Sequence, residues 1–313
     1  MGNVEASKAR GFDVSKTRGD LRPADTAPGP AASVVCGPTA SVVCGPAASV
    51  VYGPVASWRL GRSLGVDLLL VDSVCSFRCV YCQLGGINVH TAERRVYVPT
   101  ARALAELGEA DWRGADAVTF SGSGEPTLAA NLGEVIRGAR GLTGKSVVVL
   151  TNSAHLSDGR VRAELDGADQ VFCKLDAADE EGFRRLNRPA PGLTLAGVVE
   201  GIRRLREEFA GRLAVQLMLT PANVGRAAEF APLLRRVRPD EVQVNEPLRP
   251  VPRGWRLEAR GQAGPAGAAC EGRVEGPRLK RVAPAEAAEF AQTLRRLTGL
   301  EVVSRAGGAR GRG

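Results

Sequence analysis

The feature that most constrains this chain is a group of three cysteines within eight residues, CSFRCVYC, running from Cys75 to Cys82. Thiols spaced C-x3-C-x2-C converge on one point only when the backbone loops around it, which an inorganic centre requires. Three thiolates are one fewer than a structural zinc site or an ordinary cubane uses, so one metal position is left open for chemistry. The spacing alone also fits a group of reduced thiols, or a zinc site with a distant fourth ligand.

The number and clustering of the cysteines are typical of a protein from a reducing compartment. Seven is an odd number, and three of the seven are clustered, which indicates metal binding rather than a disulfide framework. No apolar run reaches membrane-spanning length, and no basic start precedes an apolar stretch. We therefore expect a cytoplasmic protein without a membrane partner.

The N-terminal part differs in composition from the remainder. An eight-residue unit repeats as AASVVCGP from Ala31, TASVVCGP from Thr39 and AASVVYGP from Ala47. A unit this short, ending in Gly-Pro, builds neither a helix nor a solenoid of the usual period. We expect residues 1–51 to be a disordered, low-complexity segment, in which Cys36 and Cys44 are duplicated passengers rather than ligands.

An α/β pattern follows. Helices are predicted at residues 101–110, 130–141, 157–166, 179–186, 194–209, 225–237 and 284–297. Strands are predicted at residues 64–71, 117–121, 146–150, 170–175, 213–219 and 241–244, with a further short strand at 301–304. Six short apolar strands alternating with helices predict a parallel sheet, curled or open, with residues 52–247 as its core.

Polar residues gather where these strands end. The cysteine loop follows the first strand, and the following strands end at Glu125, Asn152, Asp176 and Asn245. Ligands of parallel α/β folds bind at the carboxyl ends of the strands. The coincidence predicts one shared site.

The C-terminal region, residues 248–313, reads as a Pro- and Gly-rich linker, a helix and a tail. From Arg249 onward it has 13 Arg and Lys against 6 Asp and Glu, so most of the net charge of +8 lies here. A basic end is typical of nucleic-acid binding and makes RNA a candidate partner. The general preference of the chain for Arg over Lys would give the same excess.

These residues resemble the radical S-adenosylmethionine (SAM) superfamily. The similarity rests on the C-x3-C-x2-C loop after strand one, on the aromatic Tyr81 before its last cysteine, and on Ser-Gly-Glu-Pro after strand two. Within the superfamily the chain resembles the wyosine-synthetase-like group, through phrases such as CSFRCVYCQLG, FSGSGEPTL and QVNEP. Two positions depart from the pattern: Trp58 stands where a second Arg is expected, and Ser123 where a Gly is usual.

The resemblance implies an α/β fold of the partial (β/α)6 TIM-like barrel type, and an enzyme. Cys75, Cys79 and Cys82 would hold three irons of one [4Fe–4S] cluster, and SAM would chelate the fourth. Reductive cleavage of SAM would give a 5′-deoxyadenosyl radical that abstracts hydrogen from a substrate. A reductant such as ferredoxin or flavodoxin would supply the electron. The sequence does not identify the substrate, although the name of the group suggests a tRNA base.

The same resemblance assigns cofactor-binding roles by position, with Tyr81 among these residues. Glu125 would accept a hydrogen bond from the SAM ammonium, with Ser123 and Gly124 allowing close backbone approach. Asn152 and Asp176 would meet the methionyl carboxylate and the ribose, or else cap helices. Outside this class, the alternative is a non-catalytic iron–sulfur or zinc protein for redox sensing or electron transfer.

Overall fold

The computed structural model describes residues 49–70, 72–249, 251–261 and 279–304. Its strands are β1 (Val51–Ser57), β2 (Gly61–Val66), β3 (Val74–Cys75), β4 (Val89–His90), β5 (Ala117–Phe120), β6 (Ser146–Thr151), β7 (Gln170–Lys174), β8 (Arg212–Met218), β9 (Glu241–Asn245) and β10 (Val302–Ser304). The first two copies of the predicted repeat, with Cys36 and Cys44, lie outside the described residues, whereas the third copy runs into β1, so residues 49–51 are ordered rather than disordered as predicted.

The helices alternate with these strands. They are α1 (Thr100–Glu109), α2 (Leu132–Thr143), α3 (Gly159–Leu165), α4 (Glu180–Leu186), α5 (Leu195–Glu208), α6 (Ala227–Val237) and α7 (Pro284–Thr298). Side chains fix several starts: the Asp179 carboxylate accepts from the Gly182 amide, and the Thr194 hydroxyl accepts from the Gly197 amide. None of the helices in the described residues combines the length and apolar character that crossing a membrane requires.

The main sheet has eight strands in the order β1-β2-β5-β6-β7-β8-β9-β10. From β2 to β10 all neighbours are parallel, and β1 is an antiparallel edge strand. β3 and β4 form a separate parallel pair. Each of the six strands β2 and β5–β9 is followed by a helix, so the predicted α/β fold is confirmed. All six therefore point their carboxyl ends to the same side.

Alternate residues of each strand face opposite sides of the sheet. One side packs against the helices in a large core, to which β6 and β7 contribute Val147, Val149 and Val171. The other side carries a smaller cluster of Ala117, Val148, Phe172 and Ala214, and Leu60 from the β1–β2 turn packs on it. We call this second side the inner face, because in a curled sheet it surrounds the barrel axis.

Two predicted boundaries at the start of the sheet were wrong. The first strand was expected at residues 64–71, but β2 ends at Val66 and the chain leaves the sheet at Asp67. Residues 68–70 are apolar because they are buried in a turn, where apolar character does not require a strand. Strand β1 was not predicted, because its first residues belong to the Gly-Pro repeat, which was interpreted as a low-complexity segment. An edge strand tolerates a Gly-Pro pair at a register shift between Tyr52 and Val55.

Candidate active site

The cysteine loop lies at the carboxyl end of β2, and its three thiols are half-buried. Backbone hydrogen bonds fasten it to the segment that follows β7. The Val80 amide donates to the Leu186 carbonyl (2.9 Å), and the Ala190 amide donates to the Ser76 carbonyl (2.8 Å). The loop is thus held by residues more than 100 positions away, which fixes where its thiols stand.

The Ser-Gly-Glu-Pro loop after β5 pairs with the start of the cysteine loop. The Val74 amide donates to the Ser123 carbonyl (2.9 Å), and the Glu125 amide donates to the Val74 carbonyl (3.0 Å). A Cβ atom at Gly124 would stand 1.6 Å from the Val74 carbonyl oxygen. Glycine is therefore required here for the two loops to dock, in addition to any approach of a cofactor.

Ser123 is held by an aspartate that the sequence reasoning missed. Its amide (3.0 Å) and hydroxyl (2.6 Å) both donate to Asp67 Oδ2. The same oxygen accepts from Arg260 Nη1 (3.0 Å), and both side chains of this ion pair are buried. Arg260 belongs to the region predicted to be a linker. The available signal for Asp67 was its position as the single acid within the apolar run of residues 64–71.

Glu125 is 2% exposed, and its carboxylate accepts four hydrogen bonds. Oε1 accepts from the Thr127 amide (3.0 Å), the Thr127 hydroxyl (2.6 Å) and the Thr151 hydroxyl (2.6 Å). Oε2 accepts from the Asn152 amide (2.6 Å). Burial raises the pKa of Glu125, and the hydrogen bonds oppose that rise. Glu125 thus joins the ends of β5 and β6.

This arrangement gives a first testable expectation. Glu125→Ala should lower the free energy of unfolding by about 3 kcal/mol or more, because it leaves several buried donors without an acceptor. Glu125→Gln, which keeps the shape and one acceptor oxygen, should cost less. Urea denaturation of both variants measures this, with the exposed Glu93→Ala as control. An alanine variant as stable as the control would show that Glu125 does not brace the site.

Two side-chain amides point at the cysteine sulfurs. Asn152 Nδ2 lies 3.6 Å from Cys75 Sγ and donates to the Ser76 hydroxyl (2.9 Å). Asn187 Nδ2 lies 3.5 Å from Cys79 Sγ. Asn187 was not among the predicted site residues, although it lies in the phrase KLDAADEEGFRRLNRP, which also resembles the family. Amide donors near sulfur stabilise negative charge on it, as an iron-bound thiolate requires.

Asp176 closes the site on the β7 side. It is 2% exposed; Tyr81 donates its hydroxyl to Oδ2, Asn187 Nδ2 donates to Oδ2 (2.9 Å), and the Met218 amide donates to Oδ1 (2.7 Å). Lys174 Nζ lies 3.9 Å from Oδ2 and 5.0 Å from the Tyr81 ring centroid. Burial, followed by the Asp176 charge, raises the pKa of Tyr81 well above its usual value. Tyr81 therefore stays a hydrogen-bond donor.

Burial sets the protonation of the three cysteine side chains. Burial raises the pKa of Cys75 well above its usual value, that of Cys79 to about 11, and that of Cys82 as well. Without a cation the three sulfurs are thus held as neutral thiols, and iron would supply the charge that keeps them as thiolates. The charge of Lys174 already acts on Cys79 and Cys82 in that direction.

No three His, Cys, Asp or Glu side chains among the described residues are grouped tightly enough to hold one metal ion. A cubane makes a different demand, because each thiolate binds its own iron and the sulfurs stand apart across the cluster. The three cysteines, with no fourth thiol beside them in the described part of the chain, fit that demand.

The remaining thiols and strand-end residues differ in where they lie. Cys173 is fully buried in the helix-facing core, and burial raises the pKa of its thiol to about 12. Asn245 ends β9, where its carbonyl accepts from the Leu219 amide (2.7 Å). Arg188 adopts a positive φ of 47° beside the cysteine loop, and its carbonyl accepts from the Arg78 amide. Cys270 lies outside the described residues.

Comparison with known proteins decides the family. A family model described as "Radical SAM superfamily" matches residues 71–230, slightly more than half of the 313 residues. This chain belongs to the radical SAM superfamily. Members of the superfamily are enzymes that use a [4Fe–4S] cluster and SAM, so this chain is an enzyme with these cofactors.

Relatives and solved structures agree with this. A UPF0026 protein of Synechocystis sp. is 48% identical over 207 residues, covering 66% of this chain and 78% of the relative. SuiB of Streptococcus suis, bound to the precursor peptide SuiA, has a TM-score of 0.53 at 14% identity over 80% of this chain and 50% of its own. TYW1 with a lysine-pyruvate adduct bound also has a TM-score of 0.53, at 15% identity over 77% and 76%. At these identities the structures confirm the predicted partial barrel and nothing about substrate.

Proposed function

We propose that Cys75, Cys79 and Cys82 hold three irons of one [4Fe–4S] cluster, with SAM on the fourth, and that this enzyme cleaves SAM reductively to abstract hydrogen from a substrate. The observation that carries the proposal is the docking of the cysteine loop onto the Ser-Gly-Glu loop at the carboxyl ends of β2 and β5. That contact brings the three thiols beside the loop that would receive SAM.

When bound and reduced by an external donor, the cluster would give one electron to the sulfonium of SAM, whose C5′–S bond would then break into methionine and a 5′-deoxyadenosyl radical. The residues of the chain bind and orient. Asn152 and Asn187 donate toward sulfur, which stabilises the thiolates and sets the direction of their side chains. Lys174 adds a positive charge beside the anionic centre.

The proposed SAM contacts use hydrogen-bond acceptors of the site that the protein itself leaves unfilled. Glu125 Oε2 accepts one hydrogen bond from protein and keeps a second lone pair that an ammonium could occupy. Gly124 is partly exposed beside it, whereas Ser123 is buried and its amide and carbonyl are already bonded to Asp67 and Val74. Asn152 and Asp176 stand at the next two strand ends, where the carboxylate and ribose of SAM would lie. The buried network around Glu125 keeps these groups in place without the cofactor.

A small iron–sulfur or flavin protein, such as ferredoxin or flavodoxin, is the proposed electron donor. The wyosine-like grouping stays part of the proposal, as does RNA as a partner. The RNA prediction rests on the basic residues after Arg249, many of which lie outside the described residues. The non-catalytic alternative loses support because the superfamily consists of enzymes.

Anaerobic reconstitution with iron and sulfide tests the function. We expect four irons per chain, a change in the cluster's electron paramagnetic resonance spectrum when SAM is added, and slow release of 5′-deoxyadenosine once dithionite is present. The spectral change follows because SAM binds the iron that lacks a protein ligand. Omitting dithionite is the control, and it should stop product release without removing the cluster. Binding of one zinc and no iron would overturn the proposal.

A further inference from the structure

An arginine enters the barrel from the end opposite the cysteines. The turn at residues 58–60 joins β1 to β2, and its Leu60 packs on the inner-face cluster of the sheet. Arg59 precedes Leu60 in this turn. Its guanidinium carbon lies 5.6 Å from the centre of the Phe172 ring. Its Nη1 is 3.4 Å from Gln243 Oε1. Phe172 and Gln243 both project from the inner face.

The sheet register gives the height of this guanidinium. Phe172 pairs with Ala214, and Ala214 with Glu241, across β7, β8 and β9. The next row toward the carboxyl ends contains Lys174, Gln216 and Gln243. Alternate residues of a strand rise by about 6.6 Å, so Arg59 reaches one row below Lys174. The guanidinium therefore lies inside the barrel, beneath the site built by Asp176 and the cysteines.

Arg59 has no ion-pair partner among the described residues. Its Nε atom is buried and lacks a hydrogen-bond partner there, although other parts of the side chain are accessible. Glu241 lies in the same row of the sheet as Phe172 and Ala214. Its carboxylate accepts hydrogen bonds from Arg212 Nη2 (2.6 Å) and Gln243 Nε2 (2.6 Å). Burial lowers the pKa of Arg59 to about 10, so the group is still a cation at neutral pH. A desolvated cation of this kind favours a bound anion.

A second cation and two amides stand above it. The Lys174 side chain is 23% exposed, and its ion pair with Asp176 is long, at 3.9 Å. Both oxygens of Asp176 already accept shorter hydrogen bonds. Gln216 and Gln243 are bonded to each other (3.0 Å) on the same row, between the two cations. The floor of the barrel is thus polar: the cations Arg59 and Lys174 stand among amides and beside the carboxylates of Glu241 and Asp176, whose oxygens already accept other hydrogen bonds.

We infer that the substrate of this enzyme carries a carboxylate or phosphate group that binds Arg59 inside the barrel. The inference rests on the proposed function, because it places the substrate beneath the SAM site. A guanidinium offers paired donors that match either group. A flipped nucleobase would bring no negative charge to this depth. The geometry therefore favours a small anionic metabolite over a tRNA base.

The experiment uses the full-length, cluster-loaded protein labelled with fluorotryptophan. Trp58 lies next to Arg59, whose guanidinium carbon is 5.7 Å from its ring, and the chain has three tryptophans, so Trp58→Phe assigns the signal. Phosphate and succinate are titrated at constant ionic strength, with uncharged succinamide as the matched ligand. We expect a saturable shift of the Trp58 resonance with both anions, at dissociation constants on the order of millimolar, and none with succinamide.

Variants separate a specific contact from general charge. Arg59→Gln should weaken anion binding at least tenfold, Arg59→Lys should restore part of it, and the exposed Arg62→Gln in the same hairpin should bind as the wild type. Thermal melts establish that each variant is folded. If neither anion gives a saturable shift in the wild type, or if a folded Arg59→Gln protein binds unchanged, the inference is wrong.

Release of 5′-deoxyadenosine by the same wild-type sample keeps the two proposals apart. Cleavage of SAM without an anion response overturns the substrate class alone. An anion response without cluster or cleavage overturns the proposed function, and with it the assignment of the anion as part of a substrate.

Discussion

Replacing Cys75, Cys79 or Cys82 by alanine will abolish both the iron–sulfur cluster and the release of 5′-deoxyadenosine. Each thiolate would bind a different iron, so removing one leaves two protein ligands on a four-iron centre, which does not hold it. The protein should remain folded, because the three side chains lie half-buried in a loop held by several hydrogen bonds between backbone groups, although the Phe77 backbone amide donates to a cysteine sulfur, Cys75 Sγ (3.4 Å). Iron and sulfide content after anaerobic reconstitution, and product release with dithionite and SAM, measure the effect.

Cys173→Ala is the matched control, since Cys173 is buried in the helix-facing core on the opposite face of β7. It should retain the cluster and the activity. A cluster that survives any of the three loop substitutions would mean that another residue supplies a ligand. Loss of the cluster in Cys173→Ala, with the fold intact, would place the ligand set elsewhere in the chain.

Gly124→Ala will disrupt the docking of the cysteine loop. The added Cβ would stand 1.6 Å from the Val74 carbonyl oxygen, which is backbone and cannot rotate away. The pairing of Val74 with Ser123 and Glu125 must then open, which displaces Cys75 from its place beside Asn152. We expect a loss of about 3 kcal/mol in the free energy of unfolding, at the upper end of overpacking costs, together with poor cluster retention.

Gly141→Ala is the matched comparison for this substitution. Gly141 lies in helix α2, is exposed, and has nothing within 4 Å of an added Cβ. Alanine there should raise the free energy of unfolding by about 0.5–1 kcal/mol, because glycine in a helix is more costly to order than alanine. Chemical denaturation measures the stability of both variants, and iron content measures how much cluster each retains. A Gly124→Ala protein as stable and as iron-rich as the wild type would show that the two loops do not depend on this contact.

Much of the fold was predictable because it depends on local patterns. The strands at residues 117–121, 146–150, 170–175, 213–219 and 241–244 were each placed within about two residues of those observed. Buried parallel strands are short apolar runs, and the helices between them repeat apolar residues with the helical period. Both patterns can therefore be recognised from residues close together in the sequence. The edge strand β1 broke this rule, since its Gly53-Pro54 pair is tolerated only because one side of that strand has no neighbour in the sheet.

The candidate site divides in the same way. Spacing alone brought out the three cysteines, and strand ends brought out Glu125, Asn152 and Asp176. Missing were the residues whose part in the site exists only through distant contacts: Asp67 with Arg260, 193 residues apart, and Asn187 with Cys79, 108 residues apart. A single aspartate, arginine or asparagine has many roles in a sequence, and nothing next to it tells which partner it meets.

The sequence by itself determined the family, because the C-x3-C-x2-C spacing and the Ser-Gly-Glu-Pro turn are local patterns that do not depend on where the loops are placed. Only the tertiary structure decided what surrounds the cysteine loop. Gly124 is required because the Val74 carbonyl occupies the space of its missing side chain, and Glu125 is held by donors from two strand ends. The Arg59 side chain lies inside the barrel because the β1–β2 turn packs on the inner face of the sheet. These are contacts between segments far apart in the chain, so burial and distance exist for them only once the sheet has formed.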